Sequence, residues 1–325
     1  HRGLVAGLGA MGSNHLRVLS SMDGVEVVGV VDPDAARRAS TGLPGFPTLG
    51  EALAATGPSF ACLAAPVGDL PALATEALEA GVAVLIEKPM APDEEAARAM
   101  IELAEARGVL LGVGLVERCN PAVRALRERI ESIGRVYQLH ARRLSPFPNR
   151  DSMLGVAIDL ATHDIDVMRF VLGEDVERVF AETAQRRHER AEDLLCSTLR
   201  FSGGQTGLLE VNWLTPTKVR QLTVTGEDGM FVVDYLTQDL SFWESPRAST
   251  DWAPLAGMRG GGEGDMTRYA LERREPLRVE WEEFLAALES GSPAPCGGRE
   301  GLAALSTAIA IQRSGATHQV VESGS

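Results

Sequence analysis

The chain has 325 residues, of which 45% are hydrophobic and 23% charged, an ordinary soluble composition spread over more length than one average domain needs. Its formal net charge of −14 repels a nucleic-acid backbone and an anionic membrane surface, but leaves an anionic small ligand possible where local donors outweigh the global field. Four scattered cysteines, Cys62, Cys119, Cys196 and Cys296, lack the paired spacing of a zinc cluster or disulfide framework and fit a reducing, cytoplasmic setting. No apolar run approaches membrane-spanning length, and no charged-then-apolar leader precedes the first strand.

The first strand, Leu4–Leu8, runs into Gly7-Leu8-Gly9-Ala10-Met11-Gly12 and then a helical stretch ending near Met22. G-x-G-x-x-G between a strand and a helix allows a tight turn and close approach of a pyrophosphate to the helix N-terminus. A second strand, Val25–Val31, ends at Asp32, twenty residues after Gly12. That is the spacing of an acid that accepts a hydrogen bond from an adenosine ribose and repels a 2′-phosphate, so NAD is favoured over NADP. Two readings remain open: Asp32-Pro33 could simply start a turn, and Arg37 and Arg38 would suit NADP. Phe60–Ala64 is the next strand, broken by Pro66, and Asp69 is placed to cap a helix over Leu70–Ala80 that stops at Gly81.

Val82–Glu87 is an apolar strand that stops at Glu87-Lys88-Pro89. Ligands collect at the carboxyl ends of parallel strands, so Lys88 is either a cofactor-side group or a solvated strand-end cap. Pro92 and Asp93-Glu94-Glu95 open a helix that closes at Arg107-Gly108, followed by the strand Leu110–Gly114. Alternating strands and helices with short connections predict a doubly wound parallel sheet. The candidate cofactor contacts are Gly7, Gly9, Ala10, Met11, Gly12, Asp32, Ala65, Pro66, Glu87 and Lys88.

The pattern changes after residue 118, which divides the chain into a dinucleotide-binding domain over 1–118 and a substrate and oligomerisation domain over 119–325. Asn120 reads as the N-cap of a helix carrying Val123, Leu126 and Ile130. From Arg135 onward period-two alternation dominates, as in Leu209, Val211 and Trp213 or Leu222 and Val224, and Gly226–Gly229 reads as a hairpin turn into Met230–Tyr235. A largely antiparallel open sheet follows, one face covered and the other a candidate subunit interface. Ala256–Asp265, with three consecutive glycines, is expected to be a mobile loop, and two helices, about Leu277–Leu288 and Arg299–Arg313, end the chain.

One helix, about Val156–Leu172, interrupts the strands. Ile158, Ala161, Ile165, Met168 and Leu172 form an apolar stripe, and Asp159, His163 and Asp166 a polar one at i, i+4 and i+7. A carboxylate beside an imidazole makes an oriented general base. A structural histidine bonded within its helix and a metal pair are the alternatives, the latter with no third ligand at useful spacing.

Gly7-x-Gly9-x-x-Gly12-x-x-His15, Glu87-Lys88-Pro89 and Asp159-x-x-x-His163, in that order, resemble the Gfo/Idh/MocA oxidoreductases, the glucose–fructose oxidoreductase and inositol dehydrogenase type. The likeness covers essentially the whole chain. It implies that Lys88 and the Asp159/His163 pair serve nicotinamide and substrate: Lys88 polarises the reacting oxygen, His163 is the general base, and Asp159 orients His163 or a neighbouring hydroxyl. It also implies NAD as cofactor, a cis Lys88–Pro89 peptide, and a homo-oligomer, a dimer or tetramer, built through the second sheet. Val116–Pro121, Ile158–Arg169 and Asn212–Lys218 further resemble the branch labelled UDP-N-acetylglucosamine 3-dehydrogenase-like. One departure is that relatives often place a histidine four residues after the third-strand proline, where this chain has Leu70. The implied reaction is hydride transfer between nicotinamide and a secondary alcohol of a sugar, sugar nucleotide or polyol, with a UDP-N-acetylhexosamine 3-dehydrogenase as candidate and an inositol or polyol dehydrogenase as alternative. A non-catalytic NAD-binding sensor or scaffold is the rival of a different class.

Overall fold

Six short apolar strands build the first sheet: β1 (Arg2–Ala6), β2 (Glu26–Val31), β3 (Gly45–Phe46), β4 (Phe60–Leu63), β5 (Ala83–Glu87) and β6 (Leu111–Gly114). Their order is 3-2-1-4-5-6 and every pairing is parallel. β4 and β5 are buried at every position, which is why they read as unbroken apolar runs rather than alternating ones. Helices α1 (Ala10–Leu19), α2 (Ala35–Ala39), α3 (Leu49–Thr56), α4 (Leu70–Glu79) and α5 (Glu94–Arg107) make the connections. The order of strands reverses between β1 and β4, and there the glycine turn after β1 and the Ala64–Pro66 turn after β4 lie at the carboxyl ends of neighbouring strands.

The computed structural model describes residues 1–148, 154–245 and 264–324. It divides the chain into two units, His1–Cys119 with Arg274–Leu305, and Asn120–Arg273 with Ser306–Ser325. The first unit thus regains chain from beyond residue 119. The helix Pro276–Ser290 returns because Leu277, Trp281, Phe284 and Leu285 share one core with Val5, Leu19, Val30, Phe60 and Leu85. Periodicity does not reveal which sheet an amphipathic helix will cover.

Local capping follows the sequence in part. Asp93 accepts the Ala96 N–H at 2.9 Å and Gly108 ends α5 in the left-handed region. Asp69, expected as a cap, makes no side-chain capping bond. Pro71 stands in that first turn without an N–H, so one donor that a cap would serve is missing. Asn120 does cap α6 (Pro121–Arg129), accepting the Ala122 N–H at 3.1 Å.

The second unit holds a nine-stranded sheet. Its strands are β7 (Val136–Leu144), β8 (Val176–Ala184), β9 (Leu194–Phe201), β10 (Thr206–Asn212), β11 (Val219–Gly226), β12 (Gly229–Asp234), β13 (Asp239–Glu244), β14 (Met266–Tyr269) and β15 (Val321–Glu322). Spatial order is 14-13-12-11-7-10-9-8-15. All pairings are antiparallel except β7 with β10, so the sheet is mixed. β9 and β10 alternate buried and more exposed residues throughout. The glycine-rich loop expected over Ala256–Asp265 lies outside the described residues as far as Glu263. No helix among the described residues is long and apolar enough to cross a membrane.

Candidate functional site

In the first unit, glycines shape the turn after β1. Gly7 has φ +88°, and a Cβ there would lie 2.5 Å from Ala64 O and 2.8 Å from Ala65 N. A Cβ on Gly12 would lie 1.7 Å from Gly7 O. Both positions are therefore closed to any side chain. A Cβ on Gly9, in contrast, would meet no atom within 4 Å. The middle glycine borders open space at the start of α1, whose N-cap it supplies with no side-chain capping bond. Ala10 and Met11 are exposed beside it. This cradle fits a dinucleotide pyrophosphate.

Asp32 is buried, and its carboxylate joins two turns. Oδ2 accepts the Leu8 N–H at 2.8 Å, Oδ1 accepts the Asp34 N–H at 2.8 Å, and Arg37 Nη1 stands 3.7 Å from Oδ2. Arg38 instead donates to the Asp32 and Pro33 carbonyls. Each carboxylate oxygen retains a second acceptor site, so the turn-forming role and a ribose contact are compatible. Ala65 is half-buried and Pro66 exposed, with the Pro66 carbonyl accepting the Asp69 N–H at 2.9 Å.

At the end of β5, Glu87 is buried while Lys88 is partly exposed, and the Lys88–Pro89 peptide is cis. Glu87 Oε2 accepts the Lys88 backbone N–H at 3.0 Å, and Oε1 lies 2.8 Å from His15 Nε2. His15 Nδ1 accepts the Trp281 indole N–H at 2.9 Å. Burial lowers the His15 pKa, whereas the Cys62 thiol and the Glu87 carboxylate raise it, with a net upward pull. The hydrogen bonds oppose that pull. Trp281 can only donate, so Nδ1 must keep its lone pair, and the ring stays neutral with its proton on Nε2 facing Glu87. A second ring proton would point straight at the indole N–H, so the hydrogen-bonded geometry decides.

Glu280, one residue before Trp281, is fully buried with Oε2 making no hydrogen bond among the described residues. Burial, followed by the nearby Glu87 charge, pushes its pKa up to about 8. It borders a cavity of about 20 Å³ with Leu85, Gly112, Arg118, Phe284 and Cys296. The sequence marks His15 only as part of the glycine motif, and Trp281 and Glu280 give no signal at all, because their partners come from chain more than 190 residues away.

The second unit carries Asp159 and His163. Residues Ala157–Ala161 form a π-helical turn that leads into α7 (Thr162–Leu172), which Gly173 ends at φ +71°. A π turn is a recurrent feature of functional sites. From Gly155 to Met168 every residue is buried except His163. Asp159 and Asp166 are 7% and 0% exposed. Thr162 Oγ1 donates to Ile158 O at 2.9 Å, serving backbone inside the widened turn.

Carboxylates fix this segment. Buried Asp164 pairs with Arg143 in a two-pronged ion pair, 2.5 Å from Nε and 3.0 Å from Nη2. Glu192 holds the start of the π turn, its carbonyl accepting the Val156 N–H at 3.0 Å and its Oε1 accepting the Ala157 N–H at 3.1 Å. A Cβ on Gly155 would lie 2.2 Å from that carboxylate. Among the described residues no group of three or more His, Cys, Asp and Glu side chains could hold a metal ion.

A parallel 3-2-1-4-5-6 sheet with a glycine cradle at its switch point defines a dinucleotide-binding oxidoreductase domain. Residues 2–115 match the model of the oxidoreductase family with an NAD-binding Rossmann fold, and residues 123–232 match the Gfo/Idh/MocA C-terminal domain. The chain belongs to the Gfo/Idh/MocA oxidoreductase family, and its cofactor is NAD. It is 27% identical over 312 residues to UDP-N-acetylglucosamine 3-dehydrogenase of Acidithiobacillus ferrooxidans, covering 95% of each chain. A crystal structure of that enzyme superposes with a TM-score of 0.86 at 26% identity, covering 96% of both chains. Inositol 2-dehydrogenase of Corynebacterium glutamicum is 27% identical over 221 residues, 64% of this chain and 66% of that one. The WlbA dehydrogenase of Bordetella pertussis, solved with NADH and UDP-GlcNAcA, shares the fold with a TM-score of 0.83 at 24% identity, over 99% of this chain and 97% of that one.

Proposed function

We propose that this protein is an NAD-dependent dehydrogenase that oxidises a secondary alcohol of a nucleotide-linked amino sugar, of the UDP-N-acetylhexosamine 3-dehydrogenase type. The likeness across 95% of both chains to a UDP-N-acetylglucosamine 3-dehydrogenase supports the substrate class. The observation that carries the catalytic reading is the partial exposure of His163 in an otherwise buried segment. An accessible imidazole on a rigid support suits proton transfer.

Bound NAD supplies the hydride acceptor. The Gly7–Gly12 turn, with Ala10 and Met11, holds its pyrophosphate, Asp32 accepts from the adenosine ribose, and Ala65, Pro66 and Glu87 line the turns at the neighbouring strand ends. His163 takes the hydroxyl proton as the carbon–hydrogen bond gives up its hydride. Lys88 donates to the same oxygen and offsets the charge that develops there. Asp159 favours the protonated imidazole and fixes its orientation. Glu87 positions Lys88 through the backbone N–H that it holds at 3.0 Å.

Lys88→Ala and His163→Ala are each expected to lower kcat by about 10²–10⁴-fold while NADH still binds. Absorbance at 340 nm reports turnover and fluorescence titration reports binding; wild-type rates in both variants would remove these residues from the chemistry. The inositol dehydrogenase likeness keeps a polyol as second reading. Parallel assays with UDP-N-acetylhexosamines, inositols and free aldoses separate the two, and silence with all of them would favour a non-catalytic sensor.

The outward face of the nine-stranded sheet is our choice for a contact with a second copy of the chain. Phe180, Thr198, Leu208, His140, Thr223 and Val232 line up across six strands on that face, none of them buried. Light scattering should give a dimer or tetramer mass, and a monomer at micromolar concentration would discard it. Free thiols at Cys62, Cys119, Cys196 and Cys296 are consistent with a cytoplasmic location.

A further inference from the structure

At one end of the nine-stranded sheet two connections lie side by side: residues 185–193 between β8 and β9, and residues 213–218 between β10 and β11. Asn212 pairs with Leu194 across the strands, and the Trp213 N–H donates to Asp193 O at 3.0 Å. The first connection reads Gln185-Arg186-Arg187-His188-Glu189-Arg190-Ala191-Glu192-Asp193. By sequence its charges nearly cancel. In the fold they separate.

Two of its acids turn inward. Asp193 is 0% exposed, and its carboxylate accepts the backbone N–H groups of Arg186 at 2.9 Å, Arg187 at 2.6 Å and His188 at 2.8 Å. Glu192 is committed to the Ala157 N–H and to Gln312 Nε2, each at 3.1 Å. His188 locks the other side of the loop, its Nδ1 accepting the Arg190 and Ala191 N–H groups at 3.1 and 3.0 Å while its ring stacks on Trp213. What remains outward is cationic: Arg186, Arg187 and Arg190 are exposed beside the single acid Glu189, and Lys218 is exposed on the neighbouring connection.

Arg186 and Arg187 also differ from those arginines of this unit that are held by acids. Arg142, Arg143, Arg169 and Arg268 pair with Glu210, Asp164, Asp175 and Asp239. Neither Arg186 nor Arg187 has a carboxylate partner among the described residues, and Arg187 instead lies over the Phe147 ring at 5.1 Å. Guanidinium groups on fixed backbone, in a chain of net charge −14, form a local anion trap, because their fork matches paired phosphate oxygens. Glu192 ties the same connection to the start of the turn that bears Asp159.

We propose that Arg186 and Arg187, with Lys218 on the neighbouring connection, anchor the diphosphate of a nucleoside-diphosphate sugar. The anchor rests on the sugar-nucleotide reading above and assigns recognition to residues far from the chemistry in sequence. It binds the part of the substrate that does not react, so it governs KM rather than kcat. A sugar carboxylate offers related chemistry with half the charge and no second anionic centre.

The test uses the full-length protein with NADH bound, titrated calorimetrically with uridine diphosphate and, separately, with glucuronate. The double variant Arg186→Ala/Arg187→Ala is expected to weaken uridine diphosphate binding and raise KM for UDP-N-acetylglucosamine by about 10–100-fold. In the same variant kcat should stay within about threefold and NADH affinity should not change. The double lysine variant should recover part of the loss, since it restores charge without the fork. Equal uridine diphosphate affinity in wild type and double alanine variant would overturn the anchor, as would glucuronate binding as tightly as uridine diphosphate. If wild type oxidises inositols and no nucleotide sugar, yet uridine diphosphate binding is lost in the double variant, the substrate reading fails and the anion anchor stands. Turnover of the nucleotide sugar with an unchanged KM in the variant has the opposite meaning.

Discussion

The two units hold their candidate residues by different physics. In the first, geometry comes from missing side chains: Gly7 and Gly12 admit no Cβ, and the turn they make closes against Ala64 and Ala65. In the second, geometry comes from acids on fixed donors: buried Asp164 on Arg143, half-buried Glu192 on the first amide of the π turn, buried Asp193 on three amides in a row. Steric exclusion leaves a signature in the amino-acid string, whereas a buried carboxylate reads like any surface acid. Errors should also be tolerated differently, since a clash is local and an orphaned charge must be solvated or neutralised.

The largest expected effect follows from that difference. Asp164→Ala removes both prongs of the ion pair from Arg143, whose side chain is 5% exposed, and should cost about 3–5 kcal/mol. Urea unfolding measures it, and a loss below about 1 kcal/mol would show that water reaches the site and that the acid-built half is softer than its burial suggests.

Next comes the one acid that breaks the pattern inside the glycine-built half. Glu280 has a folded pKa of about 8 against an ordinary 4.5. Between those values the folded protein keeps a proton that the unfolded chain has released. Its contribution is therefore complete below about pH 4.5 and is lost as pH rises through 8. The unfolding free energy of the wild type, from urea titrations, should fall over this range by a few kcal/mol in all (on the order of 1.4 kcal/mol per pKa unit), and Glu280→Gln should flatten the profile. A variant profile parallel to that of the wild type would assign the slope to another group.

The smallest effect on stability is expected at Gly9. Its φ of −70° suits alanine and an added Cβ meets nothing, so Gly9→Ala should unfold within about 1 kcal/mol of the wild type. NADH affinity should nevertheless fall by at least about tenfold, because the methyl takes cradle space. Unchanged affinity would mean that the open space beside Gly9 is not the cofactor's.

Much of the first unit was legible before any coordinates. β1, β2, β4, β5 and β6 fall on the expected apolar runs, and Gly7, Gly9 and Gly12 form the turn that their spacing implies. The stretch from Pro33 to Pro58 was not read, because α2, β3 and α3 are too short to show a period. Asn120 was correctly placed as a cap, and Asp69 was not, since a proline in the first turn changes which donors need a partner. In the second unit the alternation exposed β10, β11 and β12, while the parallel β7–β10 pair depends on a long crossover that no local pattern encodes. The π turn at Ala157–Ala161 is invisible for a related reason: one extra residue in a turn leaves no mark on composition, and the apolar residues Ile158, Ala161, Ile165 and Met168 are buried with it as without it.

The Trp281 indole bond to His15 bears on how this protein could be cut and rejoined. The core around Phe60 is completed by Trp281 and Phe284 from near the far end of the chain. A fragment stopped at Cys119 would lack those rings, bare Phe60, and leave His15 without its indole donor. Anyone transplanting this cofactor module into another scaffold must therefore carry residues 274–305 along with the first 119. Circular permutation shortens the gap: new termini at Arg273–Arg274 would leave only residues 306–325 between the two pieces of the module.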